Sequence, residues 1–203
     1  MELLQGQMDD RFIDQLSSQI GGADRQQTAM AASGIISALT GALAKNASND
    51  QGVRSLNDAL DRDHDGSVLD NFMDLMQGRN VQPQQSRAMN GAGIVRHLLG
   101  NKQSGAIDMI SKMSGLDNNR TGSMMTMLAP MVMGMLGRQK KEQGLDLAGL
   151  ASLLSGTVTQ QRSSNPAMNM ISGFLDQDGD GSIMDDVAGM GMKMLGNFFK
   201  GRN

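Results

Sequence analysis

The sequence predicts an all-α protein built from two diverged copies of one helical unit, each carrying an Asp-rich loop between helices. Three observations carry that reading. The chain has 203 residues and is 39% hydrophobic, yet it holds five Phe, no Trp or Tyr, and 20 Met. A core must therefore be filled by Leu, Ile, Val, Ala and Met, which suits helices better than strands with their taste for β-branched and aromatic side chains. The second observation is self-similarity at a fixed spacing, and the third is a pair of Asp-x-Asp-x-Asp-Gly runs in matching context.

The self-similarity begins with Gln19-Ile20-Gly21-Gly22-Ala23-Asp24, echoed by Lys112-Met113-Ser114-Gly115-Leu116-Asp117, with Asp24 and Asp117 lying 93 residues apart. Gly41-Ala42-Leu43-Ala44-Lys45 and Gly134-Met135-Leu136-Gly137-Arg138 share that spacing. The two Asp-rich runs, starting at Asp61 and Asp176, lie 115 apart, so the second copy carries extra residues. The polar stretch from Thr157 to Pro166 is the expected place for part of that insertion, in a surface loop. The domain reading is a first helical repeat over 1–80, a linker and connecting helix over 81–100, and a second repeat over 101–203.

Taken in order, each copy reads as helix, turn, longer helix, short helix, Asp-rich loop, helix. Asp24 and Asp117 follow turn residues and precede helical stretches, as N-caps do. Gly34, Ala38, Gly41 and Ala42 recur at helical spacing along the first long helix and allow another helix to approach closely. Gly78 to Asn90, with Pro83 inside it, reads as the linker between copies. Met124 to Gly137, the longest apolar stretch, is too short to cross a bilayer and reads as a buried helix containing Pro130. Met131, Met133 and Met135 there, and Met190, Met192 and Met194 later, are expected to fill core gaps rather than to bind Cu(I). The stretch from Met190 to Arg202 is expected to be a packed terminal helix with a cationic end.

The Asp-rich runs carry the strongest chemical signal. Asp61, Asp63 and Asp65 before Gly66, and Asp176, Asp178 and Asp180 before Gly181, place carboxylates at alternate positions of a tight loop. Such oxygens converge on a hard cation, and the glycine permits the turn. Relative to a standard EF-hand loop the bidentate Glu at position 12 is missing: Phe72 and Val187 stand there. Asp70 and Asp185 supply an acid at position 10, and the carbonyls of Ser67 and Ser182 supply the ligand expected at position 7. The expected ligand of this shortened, EF-hand-like loop is Ca²⁺, ahead of Mg²⁺ because flexible multi-oxygen loops suit Ca²⁺. The competing reading is that Ser67 with Asp70, and Ser182 with Asp185, cap the following helices without any metal.

Other features exclude function classes. A formal net charge of −3 and no Lys/Arg run longer than Lys140-Lys141 argue against nucleic-acid binding. Without Cys there is no disulfide framework and no thiol nucleophile. His64 and His97, the two histidines, have no catalytic partner visible in the sequence, so no catalytic residue and no enzymatic activity are expected. The N-terminal residues lack the basic start and apolar stretch of a secretory signal, which points to the cytoplasm, and no membrane span is expected.

Five segments, at 41–46, 60–67, 93–100, 127–134 and 175–182, together resemble the bacterial domain-of-unknown-function family 937, the YidB-like proteins. They read Gly-Ala-Leu-Ala-Lys-Asn, Leu-Asp-Arg-Asp-His-Asp-Gly-Ser, Gly-Ile-Val-Arg-His-Leu-Leu-Gly, Met-Leu-Ala-Pro-Met-Val-Met-Gly and Leu-Asp-Gln-Asp-Gly-Asp-Gly-Ser. The resemblance implies an all-helical fold and supplies no catalytic residues. The functional expectation is a non-enzymatic helical protein whose loops bind divalent cations and stabilise the fold or a protein contact. The alternative is a structural or self-associating protein whose loops are helix caps.

Overall fold

Short polar side chains decide where the helices begin. In the computed structural model, which describes residues 10–64, 66, 69, 90–164 and 173, the elements are α1 (Asp10–Gln19), α2 (Arg25–Asn46), α3 (Asp50–Asp63), α4 (Gly91–Leu99), a 3₁₀ turn (Gly100–Lys102), α5 (Gln103–Ser114), α6 (Asn118–Gln143) and α7 (Leu147–Ser164). No strand occurs among the described residues. Asp24 caps α2 by accepting from the N–H groups of Gln26 and Gln27 at 2.9 and 3.0 Å, and Asp117 caps α6 by accepting from Arg120 N–H at 2.9 Å. Both caps fall where the sequence places them. Asn49, Asn90 and Asp146 start α3, α4 and α7 in the same way, each accepting from the N–H of a glycine three residues on: Gly52, Gly93 and Gly149.

Before each of the two long helices the chain turns through a glycine with positive φ, Gly22 at +73° and Gly115 at +79°. Only glycine adopts that conformation without strain. At the far end of α6, Gly144 at φ +59° closes the helix, and Leu145 N–H donates to the Lys140 carbonyl at 3.0 Å.

α2 packs against α1, α4, α5, α6 and α7, and α6 packs against α2, α3, α4 and α5. Both are apolar around most of their circumference, as helices in the middle of a bundle must be. The outer helices instead bury one stripe: Val53, Leu56 and Leu60 on α3, and Gly91, Val95 and Leu99 on α4. The buried side chains of all these helices join in one continuous core. By length and composition α2 could cross a membrane, but 67% of its most apolar window is buried against the other helices. Of the α6 methionines expected to fill core gaps, Met131 and Met133 are buried and Met135 is partly buried against the core; Met124 and Met125 are buried as well.

A shift of 93 residues carries most of the buried positions of α2 onto buried positions of α6. Thr28 maps to Thr121, Ala31 to Met124, Ala32 to Met125, Ile35 to Leu128, Leu39 to Val132 and Leu43 to Leu136. Thr28 and Thr121 also repeat one hydrogen bond, each hydroxyl donating to the carbonyl of the capping Asp four residues earlier, at 2.8 and 3.0 Å.

One sequence expectation is corrected. Thr157 to Ser164 continues α7 rather than forming a surface loop. Polar residues without Gly or Pro extend a helix readily, and the first proline downstream is Pro166. The linker from Gly78 lies outside the described residues except for Asn90, the cap of α4. Met190 to Arg202 lies outside them as well.

Two glycines are fixed by close backbone approach. Pro130 has no N–H, so the Thr126 carbonyl one turn earlier in α6 lacks its helical donor. Gly91 packs onto that carbonyl, where a Cβ would lie 1.7 Å from the oxygen. A Cβ on Gly52 would lie 1.6 Å from the Asn46 carbonyl oxygen. Gly91→Ala and Gly52→Ala are each expected to destabilise by at least about 2 kcal/mol in denaturant unfolding, because backbone must move. Gly156→Ala, in open space on α7, is expected to stabilise by about 0.5–1 kcal/mol. Equal effects at all three positions would refute the close-approach account.

Candidate functional site

Asp61 and Asp63 belong to the last turn of α3. Two residues apart on an α-helix, side chains point about 200° from each other, so these carboxylates diverge. Asp61 pairs with Lys140 of α6 and accepts from Asn57 Nδ2 at 3.2 Å. Asp63 pairs with Arg62 Nε at 3.0 Å. The Lys140 side chain is only 12% exposed, so its charge sits partly within the packing and needs this partner.

Beyond α3 the chain meets α6 a second time. Gly66 has φ +99°, its carbonyl accepts from Arg138 Nη2 at 3.3 Å, and a Cβ there would lie 3.0 Å from Arg138 Cβ. The first Asp-rich segment is thus tied to the C-terminal part of α6 at two places. Of the predicted ligands, Asp65, Ser67 and Asp70, and the second set Asp176, Asp178, Asp180, Ser182 and Asp185, lie outside the described residues. Among the described residues no three His, Cys, Asp or Glu side chains gather closely enough to hold a metal ion.

A cleft of about 850 Å³ lies beside this segment, bordered by α3, α4 and the C-terminal end of α2. Leu56, Ile94, Leu98 and Met133 give it an apolar wall. Its polar lining includes Lys45, Lys102, His64 and His97, so both histidines of the chain border the same cleft. The capped first turns of α3 and α4 border it through Asn49 and Gly52, and through Asn90 and Gly93. Asn46 ties its base together, donating from Nδ2 to the carbonyls of Ala42 at 2.8 Å and Leu98 at 3.2 Å. Sequence reasoning noted both histidines but did not bring them together. The available signal was the repeated Asn-x-x-Gly start, Asn49 to Gly52 and Asn90 to Gly93, which marks two helix N-termini.

His64 caps the C-terminus of α3 and is 5% exposed, with a buried Nδ1 that has no hydrogen-bond partner. Desolvation by burial pushes its pKa below the usual 6.5, against the opposing pull of the Asp63 carboxylate. The exposed His97 stands on α4 at the rim of the cleft. Neither imidazole is hydrogen-bonded to a carboxylate among the described residues.

Because the folded pKa of His64 lies below its unfolded value, the unfolded chain binds the extra proton first. Stability from this group is complete above pH 6.5 and is lost as pH falls from there towards the folded pKa. A His64→Leu variant is expected to lose less stability than the parent between about pH 7 and pH 5. Melting temperatures across that range decide it, and identical slopes for parent and His64→Leu would reject the assignment.

No curated protein and no solved structure matches the chain. The family DUF937, described as bacterial protein of unknown function, matches residues 2–139. The matched span takes in α1 to α5, nearly all of α6, the first Asp-rich segment and every residue named above on the cleft, and it ends before the second Asp-rich run at 175–182. With more than half of its length matched, the chain belongs to the DUF937 family of bacterial proteins of unknown function.

Proposed function

We propose that the protein is a non-enzymatic helical scaffold of two diverged copies of one unit, in which the first Asp-rich segment fastens one copy to the long helix of the other. The observation that carries this reading is the double attachment of that segment to α6, through Asp61 to Lys140 and through the Gly66 carbonyl to Arg138. The duplication is supported by the 93-residue correspondence of buried positions and of the Thr28 and Thr121 hydrogen bonds. It is supported too by the next pair of caps, Asn49 and Asp146, which lie 97 apart: four more than 93, as expected when α6 has 26 residues and α2 has 22. On this reading the partner is another protein or a second copy, and no catalytic step is needed.

A second reading keeps the divalent cation, with Ca²⁺ ahead of Mg²⁺. It is favoured by the positive φ of Gly66, the conformation that the glycine of an Asp-x-Asp-x-Asp-Gly loop supplies. Cation binding at Asp61 would compete with Lys140 for the same carboxylate.

The two readings separate by experiment. Circular dichroism melts suit a chain without Trp or Tyr. The fastening reading predicts a coupling of about 0.5–1 kcal/mol between Asp61→Ala and Lys140→Ala in a double-mutant cycle, weakened by salt as for any partly exposed pair. It also predicts no response of the melting temperature to millimolar Ca²⁺. A rise with Ca²⁺ that vanishes in the Asp61→Ala plus Asp176→Ala variant would establish the cation reading instead.

A further inference from the structure

We propose that the second Asp-rich segment, Asp176 to Asp185, docks at the C-terminal end of α2 beside Lys45, as the counterpart of the first segment's attachment to α6. This rests on the duplicated, fastened scaffold proposed above. Its ground is that the two copies are exchanged. α3, from the first copy, packs on α6 of the second, while α7, from the second, packs on α2 of the first, and α3 and α7 pack on each other. Each long helix leads through a short turn into the helix that crosses over: α2 through Ala47 to Asn49 into α3, and α6 through Gly144 to Asp146 into α7.

The course of α7 follows from that exchange. α3 spans the distance from the end of α2 to the C-terminal part of α6, where Asp61 meets Lys140. α7 starts at the end of α6 and packs along α3 and α2, so it runs back towards the end of α2. Its 18 residues make it about 27 Å long, against about 21 Å for the 14 residues of α3, enough to cover the same distance. The chain from Ser164 to Asp176 spans up to about 40 Å when extended, so the second Asp-rich segment lies within reach of that end. The shift of 93 residues that relates α2 to α6 then selects the place. It takes Arg138, which donates to the Gly66 carbonyl, to Lys45, and the spacing of 115 takes Gly66 to Gly181. Lys45 is exposed and borders the cleft. An ammonium has three N–H donors, so Lys45 can hold the Gly181 carbonyl together with other partners. No Asp or Glu stands among the described residues lining the cleft, so an acidic segment meets no like charge there. The same shift takes Lys140 to Ala47, and the second attachment therefore rests on Lys45 alone.

A chain without Cys permits a direct test by disulfide trapping of the full chain in glutathione buffers with a chelator present. Ser48→Cys with Ser182→Cys probes the proposed contact. Lys141→Cys with Ser67→Cys, its counterpart under the same two shifts, probes the first attachment. Gln26→Cys with Ser182→Cys, at the far end of α2, is the reference, and Ser48, Lys141 and Gln26 are all exposed. The effective concentration of each intrachain disulfide is read from its redox titration by gel mobility. The Ser48 and Ser182 pair is expected to exceed the reference at least about tenfold. Lys45→Glu should lower that value about threefold or more while leaving the Lys141 and Ser67 pair unchanged. Closure no better than the reference, or no response to Lys45→Glu, overturns the proposal. A disulfide between two chains would give the surface to a second copy and overturns it too. If the Lys141 and Ser67 pair still closes above the reference, the first fastening stands and only its reciprocal falls; if that pair fails as well, the fastened scaffold falls with it.

Discussion

A helix covered on nearly every side by other helices has no solvent-facing flank on which to place polar groups. That constraint acts on the middle of α2, from Ala31 to Leu43, in a helix packed by α1, α4, α5, α6 and α7. Its polar side chains must be short and must satisfy themselves within the helix. Ser37 and Thr40 each donate to the carbonyl four residues back, at 2.9 and 2.8 Å, and Thr28 does the same at the first turn. Small residues such as Gly34 and Ala38 then let the neighbours come close. The amphipathic outer helices need only one apolar stripe each, and the order of the bundle follows from covering α2 and α6.

Much of this was legible before any coordinates. Asp24 and Asp117 announce helix starts because an Asp before a helical stretch has one dominant structural use, and Met124 to Gly137 announces burial because no polar residue interrupts it except Thr126. Thr157 to Ser164 misled, since its polarity resembled a loop while nothing in it prevents a helix. What could not be read was contact at a distance. Asp61 meets Lys140 across 79 positions, and Gly66 meets Arg138 across 72. Periodicity reports which face of a helix is buried, not which partner buries it. For the same reason the two histidines, 33 residues apart at 64 and 97, gave no hint of a shared cleft.

The ion pair and the cleft share α3. One end and flank of that helix attach to α6 through Asp61, and another flank lines the cleft through Gly52, Leu56 and His64. Whatever shifts α3 is therefore felt at both places, because a packed helix moves as a body. The Asn49 cap and the close approach of Gly52 to Asn46 hold its start against the end of α2, fixing one wall of the cleft independently of the charges at the other end.

The methionine-filled interior has a chemical corollary. Met124 and Met125 are fully buried, whereas Met30 is 47% exposed. Oxidation of a thioether needs contact with the oxidant, and the sulfoxide is too polar to repack in an apolar core. The folded chain thus shields its central sulfurs while leaving others open, and sulfoxide at position 124 or 125 would be a lasting chemical record of each opening of the bundle.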